Sequence, residues 1–226
     1  MIRALLLDAA GTLIEPAEPV PVVYARASAD LGRPLDPAEV QRWFGEVFSG
    51  AGDPEYDAHP DGDAAERDWW RSIVRAVFGR ALVLPPDGEF LDSCFGSLFD
   101  HYADPAAWRV FPEVADVLAG ARGSGLRVGV VSNFDRRLHG ILAGHGLEFE
   151  FVITSADARA RKPDPSIFLQ ALGRLGLPEG EVMHAGDSPL ADVEGAERSG
   201  IRGFLLSRPR NDLRDFLAEA VNSRRK

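Results

Sequence analysis

Lysine is almost absent: the 226-residue chain has only Lys162 and Lys226, and arginine fills the other basic positions. Any chemistry that needs an ammonium away from the terminus must therefore use Lys162. Cysteine occurs once, at Cys94, which excludes an intrachain disulfide and a cysteine-rich metal cluster and reads as a small buried hydrophobe. Positive charge is in deficit, with a net charge of -10 and a locally basic stretch only in the SRRK tail, Ser223 to Lys226. Such a surface repels phosphodiester backbones, so a nucleic-acid partner is not expected. Long apolar runs are missing as well. The N-terminal run Ala4 to Leu7 stops at Asp8, too short for a signal-peptide core or a membrane span, which points to a cytoplasmic protein without a membrane partner.

What is present is ordinary for a soluble globular chain: 45% hydrophobic and 27% charged residues. Five short β-rich runs stand out, Ile2 to Leu7, Leu126 to Val131, Phe149 to Thr154, Val182 to Ala185 and Gly203 to Leu206. From the second run onward they alternate with helical patterns, which predicts an α/β fold with a Rossmann-like parallel sheet and crossover helices. Val114, Val117, Leu118 and Ala121 follow the spacing of one buried helix face. Asp164 and Pro165 read as N-cap and first helical residue of a segment that Gly176 ends; Ser188, Pro189 and Gly200 repeat that grammar.

Between the first two strands, more than a hundred residues carry no strand pattern. Segments near Val22 to Leu31, Pro37 to Phe48, Ala64 to Phe78 and Gly88 to Tyr102 look helical and rich in aromatics, including Trp43, Phe44, Trp69 and Trp70. A helical cap inserted after the first strand is expected, with domain limits of 16–103 for the cap and 1–15 plus 104–226 for the core. Its aromatic residues, at helical spacing, read as domain core rather than as a ligand-stacking surface. The acidic stretch Gly52 to Asp68 lacks the spacing of an EF-hand and reads as a solvated loop.

Ligands of open α/β sheets bind outside the carboxyl ends of the strands. Those ends carry Asp8, then Ser132 and Asn133, then Ser155, then Asp187, with Lys162 on the loop after the third strand. Two carboxylates, an ammonium, hydroxyls and an amide are what a magnesium-bound phosphoryl group requires. Singly, each has a plainer explanation: Asp8 a turn, Ser132 a helix start, Lys162 a surface residue before a capped helix, GDSPLAD a turn with its cap. Four strand ends with compatible chemistry are harder to attribute to accident.

The boxes DAAGTL at Asp8, VVSN at Ser132 and Asn133, RKPDP at Lys162 and GDSPLAD at Asp187 and Asp192 resemble those of the haloacid dehalogenase-like hydrolase superfamily. VVSNFDRRL and the tryptophan pair resemble more narrowly its branch of haloacid dehalogenase-like hydrolase domain-containing protein 3. The resemblance implies that Asp8 attacks phosphorus to form an aspartyl-phosphate, with Ser132 and Lys162 as its catalytic partners. It implies phosphoryl contacts from Ala9, Ala10, Ser132, Asn133 and Lys162. It implies Mg²⁺ on Asp8, the Ala10 carbonyl and Asp187, with Asp192 orienting Lys162 from behind. The substrate would be a small phosphorylated molecule, covered and selected by the cap.

One position departs from the pattern. The superfamily's phosphatases usually carry a second aspartate two residues after the nucleophile, which protonates the leaving alcohol and then activates water; this chain has Ala10. Losing a general acid/base costs ~10²- to 10⁴-fold, which points to a phosphohydrolase of restricted leaving-group scope. A cap residue such as His59 is one alternative proton source. The DAAGT box also resembles that of phosphonoacetaldehyde hydrolase, but the insertion contains no lysine for its Schiff base. A 2-haloacid dehalogenase, whose leaving halide needs no proton, and a phosphate-binding regulatory protein without turnover are the competing expectations.

Overall fold

The computed structural model describes residues 1–223; the basic tail beyond Ser223 lies outside the described residues. In chain order, β1 (Ala4–Leu7) and β2 (Ile14–Pro16) precede four helices, α1 (Val20–Asp30), α2 (Pro37–Gly50), α3 (Gly62–Ala81) and α4 (Gly88–His101). Then follow β3 (Trp108–Val110), α5 (Val114–Gly123), β4 (Arg127–Ser132), α6 (Arg137–Gly144), β5 (Val152–Thr154) and α7 (Ser155–Ala158). The chain continues through α8 (Pro165–Leu175), β6 (Val182–Gly186), α9 (Gly195–Arg198), β7 (Arg202–Leu205) and α10 (Leu213–Asn222).

Two compact units result, Met1–Glu15 with Arg109–Lys226, and Pro16–Trp108. The first is built on a parallel five-stranded sheet of order β5-β4-β1-β6-β7. Every side chain of β1 is buried, as a strand apolar on both faces must be at the centre of a parallel sheet. Leu7 pairs with Val130 on one side and Ala185 on the other, and the Asp8 amide donates to the Ala185 carbonyl at 2.9 Å. The strand order reverses about β1, so the segments after β1, β4 and β6 leave the sheet side by side. Asp8 and Asp187 come from those segments, and Ser132 ends β4 beside them. On one face, α8 lays Ile167, Phe168, Ala171 and Leu175 against Leu6, Val131 and Val182.

The second unit is helical, and its core is aromatic. Tyr24, Phe78, Phe90 and Phe95 are buried, and Trp69 and Trp70 pack edge to face with ring centroids 4.9 Å apart. Trp69 Nε1 donates to the Gly52 carbonyl at 2.5 Å. These aromatics build the unit's interior, as their helical spacing indicates.

Three features differ from the sequence reading. The region between the first two expected strands, which carries no strand pattern in the sequence, contains the short strands β2 and β3, which pair with each other; three residues are too few for an alternation signal. Gly52 to Asp68 is not a loop throughout: a 3₁₀ turn covers Tyr56–Ala58, and α3 begins at Gly62, capped by Asp61, whose carboxylate accepts from the Ala64 amide. There Glu66 is buried and accepts from the Tyr56 hydroxyl at 2.6 Å, so one charge of an apparently solvated run is an internal group. Finally, Ser188 and Pro189 open a π-helical turn, Pro189–Glu194, not a regular helix.

Candidate active site

The segment after β1 turns sharply at Gly11, whose φ of +81° favours glycine. The Ala9 carbonyl takes the amides of Thr12, Leu13 and Ile14, at 3.2, 2.7 and 3.0 Å, and the Ile14 carbonyl takes Gly11 at 2.8 Å. The Leu13 carbonyl accepts from Phe111, and those of Gly11 and Thr12 accept from Arg208, each at 2.9 Å. Of the carbonyls from Ala9 to Ile14, only that of Ala10 has no donor among the described residues. Ala10 is partly exposed, so its carbonyl is open to solvent or to a ligand. Gly11 also sets a close approach, since a Cβ there would lie 2.3 Å from Asp187 Oδ2.

Lys162 reaches this edge from the loop before α8. Its Nζ donates to Asp8 Oδ1 at 2.7 Å, to Asp192 Oδ1 at 2.5 Å and to the Val131 carbonyl at 2.9 Å, which satisfies all three ammonium donors. Asn133 holds the backbone of the same residue: its Nδ2 donates to the Lys162 carbonyl at 2.9 Å, and its Oδ1 accepts from the Lys162 amide at 2.7 Å. The Asn133 side chain is therefore engaged in placing Lys162. Ser132 is buried at the end of β4, and Ser155 donates to the Phe134 carbonyl at 3.1 Å, which makes it a support for the loop after β4.

Asp192 is pulled into the site by the π-helical turn. Its Oδ2 accepts from the Ser188 amide at 2.9 Å, and its carboxyl carbon occupies space that a Cβ on Gly186 would fill, at 2.0 Å. His184, in the middle of β6, completes the arrangement and was not singled out by the sequence reading. It is wholly buried, with Phe168 edge to face against it at 5.1 Å and Nε2 3.0 Å from Asp192 Oδ1. A carboxylate only accepts, so Nε2 carries the proton, and Nδ1 is left without a partner among the described residues. Burial lowers the His184 pKa despite the attraction of Asp192, so the ring is neutral near pH 7.

Arg208, after β7, is the second residue that the sequence did not single out. Besides its bonds to the Gly11 and Thr12 carbonyls, its Nε and Nη2 donate to Glu113 Oε1 at 3.0 and 2.5 Å. Its guanidinium lies 3.8 Å from the Phe111 ring centroid. Glu113 is buried, so this is an internal ion pair that fixes the turn after Asp8.

One oxygen from each of Asp8, Asp187 and Asp192 lies within 4.8 Å of the others. Against three carboxylates stands one ammonium, and His184 is neutral, so the ionised cluster carries two surplus negative charges. The pKa directions express that surplus. Burial raises Asp8, with Asp192 and Asp187 adding to the effect, although Lys162 opposes it. Asp187 is exposed as a residue, but desolvation of its carboxylate against the Gly11 turn, together with Asp192, raises it. For Asp192 burial works the same way, yet Lys162 and His184 hold it well below the usual carboxylate range. Burial opposes the charge on Lys162, and Asp192 and Asp8 overcome it, so its pKa is raised. An all-oxygen donor set with a surplus of two negative charges and a lone carbonyl fits a hard divalent cation such as Mg²⁺.

A family model for haloacid dehalogenase-like hydrolases matches residues 2–200. The chain belongs to this family of hydrolases. Among its relatives, haloacid dehalogenase-like hydrolase domain-containing protein 3 of Danio rerio is 39% identical over 211 residues, 92% of this chain and 86% of the relative. The crystal structure of a HAD phosphatase from Thermococcus onnurineus superposes with a TM-score of 0.62 at 28% identity, over 93% of this chain and 88% of that one. A 2-haloacid dehalogenase from Pseudomonas syringae pv. Tomato DC3000 has a TM-score of 0.61 at 23% identity and full coverage of both chains. The last likeness is one of fold alone. The same fold thus occurs in both a phosphatase and a dehalogenase.

Proposed function

We propose that the protein is a Mg²⁺-dependent phosphohydrolase that works through an aspartyl-phosphate on Asp8 and prefers phosphate monoesters and anhydrides with good leaving groups. The observation that carries this proposal is the surplus of two negative charges in the cluster of Asp8, Asp187 and Asp192 around Lys162. A haloacid carboxylate would be repelled there, whereas a metal-bound phosphoryl group would be attracted. The 28%-identical Thermococcus phosphatase lends support.

Asp8, the Ala10 carbonyl and Asp187 would hold the cation, which supplies charge neutralisation for the phosphoryl group when bound. With Oδ1 of Asp8 held by Lys162, the other oxygen is the one to attack phosphorus. The new bond is Asp8 Oδ to phosphorus, and the bond that breaks is phosphorus to the ester oxygen. Ser132 and the backbone of Ala9, Ala10 and Asn133 would receive the phosphoryl oxygens, with the Lys162 ammonium, held and kept charged by Asp192 and Asp8, offsetting their charge from beside them. Water then attacks phosphorus, releasing phosphate and restoring the Asp8 carboxylate.

Ala10 cannot donate a proton to the departing oxygen or take one from the attacking water. Acyl and aryl phosphates leave as stable anions and lose little in the first step. Alkyl phosphates lose most, on the order of 10²- to 10⁴-fold. The substrate class is accordingly a small acyl- or aryl-type phosphate.

A panel of acetyl phosphate, p-nitrophenyl phosphate, alkyl phosphates and 2-haloacids, assayed with and without Mg²⁺, tests this. Metal-dependent phosphate release that falls steeply with leaving-group basicity is expected. Metal-independent halide release would establish the dehalogenase instead, and phosphate binding without turnover of any compound would establish a regulatory module.

A further inference from the structure

We propose that Arg208 is a positioning residue for the metal site, through its hold on the turn that follows Asp8. The inference rests on the metal-dependent reading above. The guanidinium bonds the carbonyls of Gly11 and Thr12 at 2.9 Å each, is anchored by buried Glu113 and lies against Phe111. The result is selective. Among the described residues, hydrogen bonds occupy every carbonyl from Ala9 to Ile14 except that of Ala10, and Arg208 accounts for the two that immediately follow it.

Without Arg208, the Gly11 and Thr12 carbonyls would lose their donors, and the turn would be free to rotate so that either oxygen competes for a cation. Gly11 is also the residue against which Asp187 rests, with room for no Cβ. Fixing the Gly11 peptide therefore fixes the spacing between the Ala10 carbonyl and the Asp187 carboxylate, which come from the two separate segments of the core. The planar fork is essential to this. A lysine could neutralise Glu113, but it cannot hold two adjacent carbonyls and a carboxylate in one plane.

The test uses the full chain and Mn²⁺ as the probe, with bound metal read directly by electron paramagnetic resonance and folding followed by thermal denaturation without metal. Arg208→Lys is expected to weaken Mn²⁺ binding about 10- to 100-fold, the range seen when groups behind a metal's ligands are removed. The apparent Mg²⁺ activation constant should rise in parallel, while KM for p-nitrophenyl phosphate at saturating metal changes little. The double variant Arg208→Gln/Glu113→Gln removes the two paired charges together, and a similar loss of Mn²⁺ binding is expected should the lysine variant fold poorly. An Mn²⁺ constant unchanged in a folded variant, whatever its melting temperature, would overturn the role of Arg208 alone. A wild-type chain that binds no Mn²⁺ would overturn the metal reading, and this inference with it.

Discussion

Lys162 and Asp192 form a 2.5 Å ion pair in which each side chain is only 2% exposed. The same ammonium reaches Asp8 at 2.7 Å, so one buried cation serves two buried carboxylates. Breaking such a pair by removing one partner costs about 3–5 kcal/mol, because a charge is left buried and uncompensated. Lys162→Met should lose that much stability in urea unfolding, and adding Asp192→Asn should restore part of it. A single variant within about 1 kcal/mol of wild type would mean that water already solvates the pair.

Gly11→Ala meets two obstacles at once. The left-handed backbone costs roughly 1–2 kcal/mol for a residue with a Cβ. In addition, the new methyl would overlap Asp187 Oδ2, which lies 2.3 Å from its position. The expected outcome is a folded protein with a Mg²⁺ activation constant raised at least about tenfold. An unchanged metal requirement would remove Asp187 from the site.

A pH effect is expected away from the site. Asp157 sits in a capping box with Thr154 at the start of α7 and also accepts from Arg136 at 2.8 Å, with His139 3.2 Å away. Burial alone would raise its pKa, but these hydrogen bonds bring it below the usual value. A lowered folded pKa means that its contribution is full above the unfolded value, near roughly 4, and is lost as pH falls through the folded one. Asp157→Ala should therefore cost about 1 kcal/mol at pH 7 and progressively less toward pH 3, as measured by denaturant unfolding at each pH. A difference independent of pH would show that packing, not the ionised carboxylate, is responsible.

Ala10→Asp should add the missing proton donor. Alkyl phosphate turnover is expected to rise by ~10²-fold or more, while acetyl phosphate turnover gains least in its first step. No gain for any ester would mean that the rest of the site is not built for turnover.

The sheet, its central strand and the polar strand ends were legible because apolar runs and cap residues are local signals. Asp164 accepts from the Ser166 amide and Gly176 ends α8 at φ +60°, both as the sequence grammar indicates. Two residues behind the site were not legible. His184 interrupts VMHAG, an apolar strand, and only the folded chain brings Asp192 to its ring. Arg208 is one arginine in the SRPR stretch, and its partners Gly11 and Glu113 lie 197 and 95 residues away in sequence. The π-helical turn at Pro189–Glu194 was hidden for a related reason. Its start signals are those of an ordinary helix, while its geometry accompanies the placement of Asp192 against Lys162.

On the proposed mechanism, the same missing group at Ala10 would leave the second chemical step, attack of water on the aspartyl-phosphate, without a general base at that position. Phosphoenzyme should therefore accumulate when the leaving group is good. Acid quenching during turnover of p-nitrophenyl phosphate with Mg²⁺, followed by peptide mass spectrometry, is the most direct measurement. A phosphoryl group on the peptide carrying Asp8, with its stoichiometry reduced in Ala10→Asp and no label in Asp8→Asn, is the expected result. Metal-dependent turnover without any phosphoryl group on Asp8, or label on another residue, would contradict the assignment of Asp8 as the nucleophile.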